Sequence, residues 1–262
     1  SASPSIFQRL RRKIIPSALE MLPSETVTTY SNPIGWGRPS DFTGLPPFDL
    51  INLHWVSWFM NWEVLLPWLA ERSPIIWTLH DLNPLRGIWH YKPQLTENHH
   101  PWASAEAFAL NLKLTSVAAI AEKRITFVSP SSWISNELAS SPFAQYCGSR
   151  VIPYGLDVNV FSPRDRSLIR RILGIPDEAM VVGCIADDLS DPRKGLRQFR
   201  SSLEYYCHNM PLTLVTVGSS CPGFSGVTHF HLGSLSSDQL LASFYSACDL
   251  FVCPSLQDNL PN

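Results

Sequence analysis

Short stretches of this chain carry residue types that can do chemistry. In the first, the apolar run Ile75 to Leu79 ends in His80-Asp81, followed by Asn83, Arg86, Gly87, His90 and Tyr91. An imidazole at the carboxyl end of a strand, with an acid beside it, can orient a substrate hydroxyl or share its proton. The plain alternative is a histidine that only bonds loop backbone. In the second, Asp191-Pro192 signals a turn, and Arg193-Lys194-Gly195 stands at the entrance to an amphipathic run. Two cations at a helix start can receive a diphosphate, and Gly195 lets it approach the backbone. A solvated basic turn would read the same way. In the third, Gly218-Ser219-Ser220 closes an apolar run with small residues that admit a ribose or base, although glycine there can serve turn geometry alone. Near the end of the sequence, Asp249 to Cys253 opens into Pro254, Ser255 and Asp258. An acid at that point can hold the hydroxyls of a sugar, or simply form a turn.

The elements that must position these residues follow from hydrophobic periodicity. Strands are expected at Leu50 to His54, Ile75 to His80, Ile125 to Val128 and Val151 to Ile152, with helices at Trp62 to Arg72, Ser104 to Lys123 and Ser132 to Ala139 between them. After a pause at Pro153 to Pro163 the alternation resumes. Helices are expected at Arg164 to Leu173, Leu196 to Cys207 and Ser237 to Ala247, and strands at Met180 to Ile185, Leu212 to Val217, Thr228 to Leu232 and Leu250 to Cys253. Continuous apolar strands separated by helices imply parallel sheets covered on both faces. Two successive α/β units are expected, 1–160 and 161–262. The 48 residues before Asp49 are rich in Pro, Ser and Thr, with one basic helical candidate from Phe7 to Met21.

Apolar residues make up 45% of the 262 residues and charged residues only 16%, which excludes intrinsic disorder as the default. Lys+Arg 20 against Asp+Glu 22 gives a net charge of -2, so there is no basic surplus to expect a nucleic-acid partner from. The sequence shows neither a long uninterrupted apolar run nor the pattern of a secretory signal, and a cytoplasmic location is expected. Cys147, Cys184, Cys207, Cys221, Cys248 and Cys253 form no CxxC pattern, which suits reduced thiols and gives no zinc site.

Taken in order, TLHD with GIWHY, IPYGLDVNVFSP, LSDPRKGL and HLGSLSSDQLLASFYSACDLFVCPSLQDNLPN resemble the family 4 glycosyltransferases of the GT-B fold, most of all the bacterial branch that builds exopolysaccharide and lipopolysaccharide. The resemblance spans Asp49 to Asn262. It implies an α/β protein of two Rossmann-like domains facing a cleft, the first for the acceptor and the second for a nucleotide-sugar donor. It also implies retention of anomeric configuration, and neither a cofactor nor an obligatory metal. The family's phosphate-binding cations map to Arg193 and Lys194 beside Gly195. The first acid of its paired-acid motif maps to Asp258, near Ser255, and its strand-end histidine maps to His80. With Gly218 and Ser219 in the donor-binding set, the expected catalytic residues are His80, Lys194 and Asp258. In the linker, Gly155 and Asp157 match the family's Asn-Gly-Val-Asp signature, but Tyr154 replaces the Asn. A close-relative Gly-Gly-Cys-His-Tyr pattern reads Gly87-Ile88-Trp89-His90-Tyr91.

The family's opening Gly-rich loop has no counterpart before Asp49, and its second acid would fall past Asn262. The expectation is therefore an internal fragment with both domains incomplete, inactive by itself and prone to aggregate. The expected function is transfer of a sugar from a nucleotide diphosphate to a hydroxyl of a glycan or lipid-linked acceptor in cell-surface polysaccharide biosynthesis. The alternatives are a non-catalytic sugar-nucleotide-binding or scaffold protein of the same fold and a nucleotide-sugar epimerase. The segment HWVSWFMNWEVLLPW admits two readings, a face for the inner membrane surface or indoles packed between helix and sheet.

Overall fold

Strands β1 (Ile51–Leu53), β2 (Ile75–Thr78), β3 (Ile125–Ser129) and β4 (Gly148–Val151) lie side by side in chain order, all parallel. The structure, a computed structural model, describes residues 30–92, 100–120, 124–206, 212–221 and 223–260. Helices α1 (Leu65–Arg72), α2 (His100–Ala118) and α3 (Ser132–Ala139) connect these strands. Parallel neighbours need such crossovers, and the helices bury the sheet's apolar side chains. Ile75, Trp77, Ile125 and Phe127 pack with Leu65, Leu66 and Leu69 of α1 and Ile134 and Leu138 of α3.

A second sheet has the order β7-β6-β5-β8, again parallel, from β5 (Met180–Asp188), β6 (Leu212–Ser219), β7 (Thr228–His231) and β8 (Leu250–Phe251). Its helices are α4 (Arg166–Leu173), α5 (Leu196–Tyr206) and α6 (Asp238–Ala247). The chain divides into one unit of residues 1–154 with 259–262 and another of 155–258. The crossing thus falls at Tyr154/Gly155 rather than near Phe161, and the chain re-enters the first unit at Asn259.

Several element bounds differ from expectation for visible reasons. Helix α1 starts at Leu65 and not at Trp62, because Asn61 Oδ1 accepts from the backbone N–H groups of Glu63 and Val64 and holds a turn there. Strand β2 stops at Thr78, leaving Leu79 and His80 beyond the ladder, and β8 stops at Phe251. Strand β4 begins earlier than Val151, at Gly148, where a β-carbon would lie 2.8 Å from Thr126 Oγ1. In the other direction, β5 runs on to Asp188 through an irregularity after Ile185, and β6 to Ser219. The candidate helix Phe7 to Met21, the expected end of α2 at Lys123, and Cys207 lie outside the described residues.

All the tryptophans of the chain fall between Trp36 and Trp133, inside the first unit. The indoles divide between the two readings of the aromatic segment. Trp62 is buried and stacks on Trp77 of β2, with centroids 5.0 Å apart, and Trp68 packs against the same core. Trp55 and Trp58 are about half exposed, at 54% and 47%. Among the described residues no helix is long and apolar enough to cross a membrane.

A lysine on α2 is buried inside the first unit. Lys113 is fully covered, donates to the carbonyls of Asn83 (2.7 Å) and Arg86 (2.9 Å), and lies over the Trp62 ring. It ties α2 to the loop that follows His80-Asp81. Burial pulls its pKa down to about 7, against the opposing pull of Glu106 and Asp81. Between about pH 7 and its unfolded value near 10.5 the unfolded chain therefore binds more protons than the folded one. Stability from this group rises through that window, by up to about 1.4 kcal/mol per pH unit. Urea midpoints measured from pH 7 to 9.5 are expected to rise in the wild type and to flatten in Lys113→Met.

Candidate functional site

In the second unit the chain leaves β5 through Asp191, whose side chain accepts from the Arg193 N–H at 2.8 Å and starts a 3-10 turn over Pro192–Lys194. The turn ends at Gly195, with φ +69°, where a β-carbon would lie 2.0 Å from the Pro254 carbonyl oxygen. Only glycine allows this approach, and it brings the turn against the segment that follows β8. The Leu256 N–H donates to the Arg193 carbonyl at 2.8 Å and joins the two segments.

This docking assembles a charged cluster. Lys194 Nζ donates to Asp258 Oδ2 at 2.6 Å, and Arg193 Nη1 lies 3.5 Å from Asp258 Oδ1. Ser255 Oγ donates to Asp258 Oδ2 at 3.3 Å. Arg193 also donates to Asp191 Oδ2 and the Gln257 carbonyl. The side chains of Arg193, Lys194 and Asp258 are about one-fifth exposed, so the basic pair is not a solvated turn and Asp258 does more than shape its loop. One carboxylate thus holds both cations side by side.

Gly218 and Ser219 belong to a neighbouring turn. Gly218, with φ +141°, donates its N–H to the Gly233 carbonyl, and a β-carbon would lie 2.0 Å from the Ala186 carbonyl. Ser219 Oγ donates to the Asp187 carbonyl, and its own carbonyl accepts from the Leu189 N–H. These contacts account for the glycine by the crossing of two strand ends.

In the first unit His80 stands just past β2, half-buried, with both ring nitrogens engaged. His54, just past β1, offers Nδ1 to His80 Nε2 at 2.9 Å, and the Tyr154 hydroxyl lies 2.8 Å from His80 Nδ1. Burial, with the neighbouring His54 imidazole, lowers the His80 pKa below the usual histidine value, and Asp81 opposes this. The ring is therefore neutral at physiological pH. Burial likewise raises the Tyr154 pKa above that of a free phenol.

The acid expected to serve His80 is committed elsewhere. Asp81 Oδ2 bonds His90 Nδ1 at 2.5 Å and accepts from Trp55 Nε1 at 3.0 Å, while Oδ1 accepts from the Asn83 N–H. His90 is buried, and its Nε2 meets Ser31 Oγ at 2.7 Å. Neighbours in sequence, His80 and Asp81 thus enter separate networks, because consecutive residues past a strand point in different directions.

Between the ends of β1 and β2 opens a shallow recess, lined among others by His54, His80, Asp81 and the indoles of Trp55 and Trp58. His54 was missed in the sequence; it occupies the same strand-end position on β1 that drew attention to His80 on β2, and that is the signal that could have found it. Tyr154 and Asn259 were missed as partners of His80 because only the fold brings them there. Asn259 Nδ2 donates to the Leu79 carbonyl at 3.0 Å and to the Tyr154 hydroxyl at 3.1 Å, and Oδ1 accepts from Ser131 Oγ at 3.2 Å.

No protein-family model matches the sequence, and no curated protein does. Solved structures do. A sucrose-phosphate synthase from Thermosynechococcus elongatus superposes with a TM-score of 0.58 at 18% identity over 85% of this chain and 54% of its own. An α,α-trehalose 6-phosphate synthase from Burkholderia multivorans gives 0.52 at 14% identity over 83% of this chain and 52% of its own. Anabaena Alr3699/HepE, in complex with UDP and glucose, gives 0.50 at 19% identity over 98% of this chain and 60% of its own. The chain thus spans little more than half the length of these proteins. What they share with it is the fold, two units of parallel sheet and helices, and that fold is GT-B.

Proposed function

We propose that this chain belongs to a glycosyltransferase that moves a sugar from a nucleotide diphosphate to a hydroxyl of a glycan or lipid-linked acceptor. The observation that carries the reading is the Arg193-Lys194-Asp258-Ser255 cluster, at the carboxyl ends of β5 and β8, where open parallel sheets take their ligands. One solved protein of the same fold, Anabaena Alr3699/HepE, is described in complex with UDP-glucose and with UDP and glucose.

Lys194 and Arg193 receive the diphosphate, and Asp258 fixes both cations. As the bond from the anomeric carbon to the diphosphate breaks, the acceptor oxygen bonds that carbon and its proton passes to the departing diphosphate, on which negative charge grows. Preplaced cations stabilise that charge without reorganising, which is electrostatic catalysis with no covalent step and no required metal. Transfer retains the anomeric configuration, as the family resemblance implies. The acceptor sits in the first unit, where the exposed faces of Trp55 and Trp58 suit the C–H face of a pyranose ring. Nucleotide-sugar chemistry in cell-surface polysaccharide synthesis places the protein in the cytoplasm or at the inner membrane surface.

The test is calorimetry with UDP and GDP, followed by an assay of nucleoside diphosphate release from the matching nucleotide-sugars with and without simple glycosides. Saturable diphosphate binding is expected of this chain and acceptor-dependent release of the whole enzyme it belongs to, and both persist in EDTA. Binding without release under any acceptor would favour the non-catalytic alternative. Absence of diphosphate binding would overturn both.

A further inference from the structure

The hydrogen bonds around His80 have a definite direction. The Leu79 carbonyl can only accept, so the Asn259 group facing it is the amide nitrogen, and the bond from Ser131 Oγ to Asn259 Oδ1 agrees. The second hydrogen on that nitrogen points at the Tyr154 oxygen. Tyr154 therefore accepts from Asn259 and directs its own proton to its other hydrogen-bond partner among the described residues, His80 Nδ1. With Nδ1 accepting, the neutral His80 ring carries its hydrogen on Nε2 and donates to His54 Nδ1. His54 in turn carries its hydrogen on Nε2. The opposite polarity would turn the phenol proton away from His80 and leave it no acceptor among the described residues.

His54 is exposed and His80 half-buried, and both line the recess. The relay therefore ends on an outward N–H of His54, while both nitrogens of His80 are already used. The lowered pKa of His80 is consistent with this, with His54 and Asp81 the titratable groups that act on it beside burial.

We propose that His54, and not His80, meets the ligand in this recess, presenting Nε2–H as a donor to a hydroxyl oxygen. Tyr154, His80 and Asn259 are positioning residues that hold His54 in the donor tautomer. The inference rests on the glycosyltransfer reading for the identity of the hydroxyl, which belongs to the acceptor sugar. It assigns the imidazole pair an orienting role, since a ring that offers a hydrogen at its outer nitrogen cannot remove one there.

The polarity can be measured without turnover. In protein labelled with 15N-histidine, long-range proton–nitrogen correlation at pH 8 is expected to show Nε2–H tautomers, with unprotonated Nδ1, for both His54 and His80. Tyr154→Phe removes the donor to His80 Nδ1, and the single tautomer at His80 is expected to be lost. A wild-type His80 carrying its hydrogen on Nδ1 would overturn the proposal.

Turnover adds a second arm. His54→Ala is expected to lower kcat/KM for the acceptor about tenfold, the weight of one hydrogen bond. His54→Gln keeps an N–H donor and is expected to recover most of that loss. The double variant His54→Ala/His80→Ala is expected to be no worse than His54→Ala alone, because His80 acts through His54. A glutamine variant as impaired as the alanine variant would show that His54 takes a proton, and would overturn the donor role. If the tautomers are as stated but no nucleotide-sugar is turned over, the relay stands and the glycosyltransfer reading fails.

Discussion

Replacing Lys194 with alanine is expected to weaken nucleoside diphosphate binding by roughly tenfold to a hundredfold. A hydrogen bond between charged groups contributes about 1.5 to 3 kcal/mol, and each 1.4 kcal/mol is a factor of about ten in affinity. Lys194 also holds Asp258 at 2.6 Å, so its removal loosens the carboxylate that aligns Arg193. The effect should extend to nucleotide-sugars and leave ligands of the first unit unaffected. Calorimetry of wild type against Lys194→Ala measures it directly. Equal affinities would remove Lys194 from the diphosphate site and leave the ion pair with Asp258 a purely structural one.

Gly195→Ala is expected to act on the same site through the backbone. The new β-carbon would lie 2.0 Å from the Pro254 carbonyl oxygen, in a backbone conformation that L side chains rarely adopt. Relief requires the Pro192–Lys194 turn to move off the segment that carries Ser255 and Asp258, separating the cations from their carboxylate. We expect a loss of roughly 2 to 4 kcal/mol in stability, in line with strain at a special backbone position. We also expect diphosphate affinity to fall at least as far as in Lys194→Ala. Thermal unfolding and calorimetry on one preparation test both. An unchanged melting temperature with unchanged affinity would mean that the turn need not dock to bind.

The sequence made most of the strands and helices legible because parallel strands buried on both faces read as continuous apolar runs, as in Met180 to Ile185 and Leu212 to Val217. Ends were less visible. The Asn61 side chain delays α1, and nothing in the local pattern foretells which backbone groups it will bind. In the second unit Arg193, Lys194, Gly195, Ser255 and Asp258 do come together, since they lie in the loops after β5 and β8, two strands that the apolar runs made visible. In the first unit local reading failed in an instructive way. The adjacency His80-Asp81 suggested a working pair, yet the fold gives Asp81 to His90 and His80 to His54 and Tyr154. Partners distant in sequence, such as Asn259 and Leu79, are set by topology, which spacing does not encode.

The confinement of every tryptophan to residues between Trp36 and Trp133 makes the protein's own fluorescence a reporter of one unit only. Excited near 295 nm, the emission follows the surroundings of the indoles, including Trp55 and Trp58 at the recess, and is blind to loss of structure in 155–258. Circular dichroism counts helices and strands of both units. A denaturation followed by both signals therefore separates the two stabilities without labels or truncation: coincident curves mean one cooperative transition, and displaced curves mean two.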